Sequence, residues 1–138
     1  MRGVALLIAL LSLAAGRSAP VEPIQVVEAG IPALQRAMEA GRATSVQLVQ
    51  AYLARIDRYN PGLKAAITVN PRALEEAAGL DKERTRRRVR GPLHGIPVAV
   101  KDNIQTMGMP TTGGTLAFRD WVAPFEATLV ANLRAAGA

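Results

Sequence analysis

GPLHGIPVAVKDNI, residues 91–104, is the stretch that decides how this chain is read. Glycine and proline become frequent at Gly91 and stay so through Pro92, Gly95, Pro97, Gly108, Pro110, Gly113 and Gly114, with one apolar run, residues 96–100, among them. Turns crowded around a strand-like run fit loops gathered about a site, and they also fit an irregular structural connection. Lys101 follows Val98-Ala99-Val100 directly, and lysine seldom ends an apolar run without a partner or a task. If the run is a central strand, burial disfavours the charged ammonium, and a lysine that can become neutral serves as a general base. Asp102 and Asn103 are placed to cap the turn that follows and to hold that lysine. Two roles therefore fit Lys101 equally: a structural side chain paired with Asp102, or a catalytic base.

Around this stretch, competing chemistries lose their residues. His94 is the sole histidine of the chain. In Pro92-Leu93-His94-Gly95 it reads as a turn residue, because a triad or a metal site needs partners at defined geometry. No His, Asp and Glu cluster has metal-ligand spacing, so no metal and no cofactor is expected. The glycines match neither phosphate-loop nor dinucleotide patterns. There is no cysteine, which removes disulfides and a thiol nucleophile together.

Upstream, the periodicity predicts helices. Residues 31–40 form an apolar-periodic segment stopped by Gly41. Thr44 with Gln47 three residues later makes a capping box, so a second helix starts at Ser45. Val46, Val49, Leu53 and Ile56, with Tyr52 and Tyr59, share its apolar face, and Asn60-Pro61-Gly62 should end it. Residues 65–69, AAITV, read as a short strand. Pro71 suits the first turn of a third helix with Leu74, Ala77, Ala78 and Leu80 inward. Downstream, residues 124–136 read as a helix with Ala127, Val130, Leu133 and Arg134 in register and Gly137 beyond its end. The alternation of strand, loops and helix is that of an α/β protein.

The chain has 138 residues, 49% of them hydrophobic and 20% charged, which suits one modest globular core. Its first residues, MRGVALLIALLSLAAGRSAP, place a basic Arg2 before an apolar run from Val4 to Ala15 and then small residues. That is the layout of a cleaved export signal over residues 1–18, since the run is shorter than the roughly 20 residues a membrane anchor needs. Residues 19–30 then read as a linker, and an exported location, periplasmic or secreted, is expected. The formal charge is +6, and the run from Lys82 to Arg90 concentrates it. That run could meet an anionic partner, but it lacks the stacking aromatics of nucleic-acid modules and reads as a solvated helix end. No nucleic-acid partner is expected.

In these residues and their order, the chain resembles the amidase signature family. Residues 91–104 resemble the stretch around that family's lysine. GMPTTGG at 108–114 and LVANLRAAGA at 129–138 match it in order and spacing, and the helices around Thr44-Ser45 and Tyr59-Asn60-Pro61 resemble its N-terminal helices. Thr115 and Glu126 stand where the family more often has Ser and Asp. The resemblance implies an α/β fold, with N-terminal helices followed by the first strands and helices of a mixed sheet, truncated in this sequence to residues 31–138. It implies an amidase that hydrolyses a carboxylic amide, small-molecule or peptide, to acid and ammonia or amine with a Ser, cis-Ser, Lys triad and no cofactor. Lys101 would be the triad's lysine, with Asp102, Asn103 and Thr112 as supports. The family's serine-rich loop lies beyond this sequence, so the chain by itself is expected to be inactive. The alternative is a non-catalytic binding product that uses the run from Lys82 to Arg90.

Overall fold

The computed structural model describes residues 24–138. The expected export signal and residues 19–23 of the linker lie outside the described residues. Among the described residues are four helices, α1 Ile31–Glu39, α2 Ser45–Leu63, α3 Ala73–Thr85 and α4 Thr128–Ala135, and a 3-10 turn at Leu116–Phe118. Pre-formed by its proline in the first turn, α1 ends at Gly41, whose φ is +68°. Gly41 N–H donates to Met38 O and Arg42 N–H to Ala37 O, a Schellman closure.

The capping box forms as its residues predict. Thr44 accepts from Gln47 N–H at 3.1 Å, and the Gln47 side chain accepts from Thr44 N–H at 2.9 Å. A second cap comes from α3, where Asp81 accepts from Ser45 N–H at 2.7 Å and Val46 N–H at 3.1 Å. An anion on the orphan amides of a helix start is favoured by hydrogen bonding and by the helix dipole alike. This contact ties α2 to α3, the principal helix pair.

Three expectations need correction here. Pro61 does not end α2, which runs on to Leu63. In the last turn a proline forfeits only its own bond, to the carbonyl of exposed Asp57, which water can reach. Lys64 then closes the helix in the left-handed region, and Asn60 braces the exit by exchanging two hydrogen bonds with Ala66. The inward faces also differ. Tyr59 is exposed beneath the guanidinium groups of Arg55 and Arg58, Leu74 is exposed, and Leu48, fully buried, joins Val26, Leu34, Met38, Ala43 and Ile96 in the core. Last, α4 begins at Thr128 rather than Pro124, because Ala127 N–H donates to Gln105 O and holds that segment extended.

No strand is assembled among the described residues. Residues 65–69 and 96–100 run without ladder partners, and one isolated antiparallel bridge joins Pro110 to Val122. A strand is defined by its neighbour's hydrogen bonds, and these apolar runs have none among the described residues. The α/β expectation therefore stands here only in its helical part.

Candidate functional site

The 91–104 stretch is seated by the end of α4. Gly137, φ +96°, donates to Arg134 O while Ala138 N–H donates to Leu133 O, so α4 also closes by a Schellman motif. The carbonyls this leaves point at the turn: Leu93 N–H reaches Ala136 O at 3.2 Å and Gly95 N–H reaches Gly137 O at 2.8 Å. Only glycine permits this approach. A Cβ on Gly137 would lie 2.6 Å from His94 Cα, and one on Gly95, φ +80°, would lie 2.0 Å from Ser45 Oγ.

His94 is fully buried in this seat. Its Nδ1 accepts from Arg90 N–H at 3.2 Å, which assigns the proton of the neutral ring to Nε2, and Nε2 donates to Leu80 O at 3.0 Å. Its carbonyl accepts from Arg84 Nη2 at 2.8 Å and from Gln35 Nε2 at 3.1 Å. The histidine is a structural pin between α3 and the turn. The basic run is correspondingly divided. Arg84 points inward, and Arg90 pairs with Glu83, whose hydrogen bond holds the Glu83 carboxyl below its ordinary range. Lys82, Arg86, Arg87 and Arg88 remain exposed at the helix end, where cations suit the dipole.

Beyond the seat, Asp102 organises the loop. Its Oδ1 accepts from Thr112 N–H at 3.0 Å, and its Oδ2 accepts from the Thr112 hydroxyl and from Gly114 N–H at 3.2 Å. Its carbonyl accepts from Gly113 N–H at 3.0 Å. The Thr112 hydroxyl, followed by the Thr112 and Gly114 amides and the charge of Lys101, holds the Asp102 carboxyl below its ordinary value. Asp102 thus clamps residues 112–114 and forms no ion pair with Lys101, so the paired structural lysine is not what forms.

Lys101 is exposed, as are Val98 and Ala99 before it. The expected burial at the end of a central strand does not occur, since no flanking strand covers the run. Asn103 and Thr112 line an open groove of about 700 Å³ together with Ile104, Gln105, Phe118 and Trp121, and Lys101 lies two residues before this wall without lining it. The structure thus joins Asp102 to Thr112 directly and puts Asn103 and Thr112 on the lining of the groove, which Lys101 does not line. Among the described residues no group of three His, Cys, Asp or Glu side chains could hold a metal ion. Asp81 and Arg84 escaped sequence reading, because their partners are 35 to 49 positions away, or 10 for His94, and no local pattern marks them.

Lys101 is thus exposed on a glycine-rich loop whose carboxylate is held by Thr112 and Gly114. Residues 47–138 match the Amidase family. The chain is 44% identical over 98 residues to one of the subunits of the glutamyl-tRNA(Gln) amidotransferase of Thermus thermophilus, covering 71% of this chain and 19% of that one. It superposes on the peptide amidase of Stenotrophomonas maltophilia with a TM-score of 0.76 at 50% identity, over 80% of this chain and 23% of that one. An amidase family protein from Bacillus anthracis gives 0.77 at 41% identity, over 82% and 23%. This chain belongs to the amidase signature family. It spans about a fifth of the length of the curated relatives it matches.

Proposed function

We propose that the chain is the lysine-bearing part of an exported amide hydrolase that cleaves a carboxylic amide, small-molecule or peptide, to acid and ammonia or amine. The observation that carries this reading is Lys101, in no ion pair among the described residues, on a loop whose own carboxylate, Asp102, is held by Thr112 and Gly114. Such a lysine is not committed to an ion pair, and the desolvation that lets a lysine act as a base would come from the chain that covers it. In the proposed chemistry Lys101 accepts a proton, through a bridging serine, from the serine that attacks the amide carbonyl, and later returns it toward the leaving nitrogen. Asp102, Thr112 and Asn103 position the loop and touch no reacting atom.

The serines must come from other sequence. Ser12 and Ser18 belong to the expected export signal and its cleavage region. Ser45 is fully buried at the start of α2, with its hydroxyl against Met38 Sδ, and has no access to a substrate. Without a nucleophile and oxyanion donors the larger share of transition-state stabilisation is missing. The purified 138-residue chain is therefore expected to release no ammonia from C-terminally amidated peptides or simple carboxylic amides. Turnover by that chain, lost in Lys101→Ala, would overturn this division of the site. In an active protein containing this chain, Lys101→Ala is expected to abolish ammonia release, and unchanged release would refute the role of the lysine. Export is checked by N-terminal sequencing of the secreted product, expected to start near residue 19.

A further inference from the structure

Histidine is the side chain whose ordinary titration falls between about pH 5 and 8, and this chain has one, His94. It is fully buried, and each of its polar groups is engaged. Its N–H donates to Gly91 O at 3.1 Å, and its carbonyl accepts from Arg84 and Gln35. On the ring, Nε2 donates to Leu80 O at 3.0 Å and Nδ1 accepts from Arg90 N–H at 3.2 Å. A neutral ring satisfies all of these bonds at once. A second proton has only Nδ1 to go to, where it turns the acceptor into a donor that faces the Arg90 N–H.

The groups around the ring do not offset such a cation. From α3 come Asp81, Glu83 and Arg84: Asp81 is engaged at the start of α2, Glu83 is held by the Arg90 guanidinium, and Arg84 is itself a cation. The segment of His94 adds two more cations, Arg88 and Arg90. From α1 and α2 the turn meets uncharged Gln35 and Ser45, and from the end of α4 it meets Ala136 and Gly137, while Arg134 is turned to Glu76 and Glu126. A buried charge without an available partner is costly. Nor can the ring swing aside freely, since Gly137 packs so closely that a Cβ there would lie 2.6 Å from His94 Cα and 3.0 Å from its Cβ. We infer that His94 is a proton-operated latch on the lysine loop: uptake of one proton by its ring releases the turn at residues 90–95 from α3 and from the end of α4. Leu93 and Gly95, on either side of His94, carry the amides bonded to Ala136 O and Gly137 O, so the latch holds the seat of the stretch that leads to Lys101. It acts on the turn itself, whether or not Lys101 takes part in catalysis.

The full 138-residue chain, labelled with nitrogen-15, tests this between about pH 7.5 and about pH 5. Its one histidine gives one pair of ring-nitrogen resonances, expected at neutral pH to be those of the Nε2–H tautomer. As the pH falls, protonation of the ring and displacement of the Leu93 and Gly95 amide resonances should share one midpoint. Hydrogen exchange of residues 90–95, corrected for the chemical rate, should rise at least about tenfold, while the amide of buried Leu48 in α2 stays protected. Carboxylates ordinarily titrate near about pH 4, and Glu83 and Asp102 are held lower still, so they do not supply that midpoint. His94→Asn does not titrate and keeps an oxygen able to accept from Arg90 N–H, so it should abolish the response. The shared midpoint is read on the parent chain and decides the matter even where that variant does not fold. A ring protonated on Nδ1 alone at neutral pH, a ring that titrates while Leu93 and Gly95 stay in place, release at a midpoint other than the ring's, or a response kept in His94→Asn would each overturn the latch. Lys101→Ala is expected to leave it unchanged, so failure of the latch and failure of the lysine's role are separate results.

Discussion

Replacing Gly95 by alanine tests whether the seat of the lysine loop is as tight as the geometry requires. At φ +80° an L-residue incurs a left-handed penalty of about 1–2 kcal/mol. The added Cβ would also lie 2.0 Å from Ser45 Oγ and 3.0 Å from Ser45 Cβ, far inside contact distance. Ser45 cannot retreat freely, since its N–H is held on Asp81 at 2.7 Å and its side chain is fully buried. Relief must come from backbone movement of the turn, and overpacking of this kind adds about 1–3 kcal/mol. Together the two effects put Gly95→Ala at about 3 kcal/mol, a large part of a typical stability of about 5–15 kcal/mol. Urea unfolding followed by circular dichroism measures it as a lower midpoint at unchanged slope. Pairing the change with Ser45→Gly removes both close atoms and leaves the backbone penalty, so the double-mutant cycle should show a favourable coupling above about 1 kcal/mol. A loss below about 1 kcal/mol for Gly95→Ala, or additivity in the cycle, would refute the steric argument.

Three further outcomes follow from the same structure. Asp102 is held ionised below its ordinary value, so its contribution is fully present above about pH 4 and is lost as the pH falls through its folded-state value. Thr112→Val removes the largest cause, and the Asp102 carboxyl resonance should then titrate at higher pH; an unmoved midpoint would contradict the clamp. Asp81→Ala strips the second cap from α2 and should cost about 1–2 kcal/mol in thermal or urea unfolding, more than a surface carboxylate is worth. Arg87 occupies the left-handed closing position of α3 with φ +59°, donating to Arg84 O while Arg88 N–H donates to Glu83 O. Arg87→Gly should therefore raise stability by about 1 kcal/mol, and a lower melting temperature would show that its side chain does more than the structure records.

Legibility in the sequence tracks the range of the interaction concerned. The Thr44 and Gln47 capping box, the stop at Gly41 and the closure of α4 at Gly137 are readable because each is settled by hydrogen bonds within three to five residues. The end of α2 and the start of α4 are not, for the complementary reason. Asn60 gripping Ala66 and Gln105 accepting from Ala127 are contacts that no periodicity encodes. In the candidate site, Asp102 and Asn103 are named from their place after the lysine and Thr112 from the family resemblance, whereas the clamp from Asp102 to Thr112 is a matter of how the loop folds back over ten residues.

By itself the sequence determined membership of the amidase signature family, the capped start of α2 and the closures of α1 and α4, and it nominated Lys101 as the candidate base. All of these rest on residue types and on bonds between near neighbours. The tertiary structure alone decided that His94 is a buried pin, that Arg84 and Asp81 leave the charged run to join α3 to its neighbours, and that Lys101 stands in solvent with an apolar, aromatic face beside it. Burial and pairing depend on what other parts of the chain bring near, and among the described residues Phe118, Trp121 and Phe125 stay exposed.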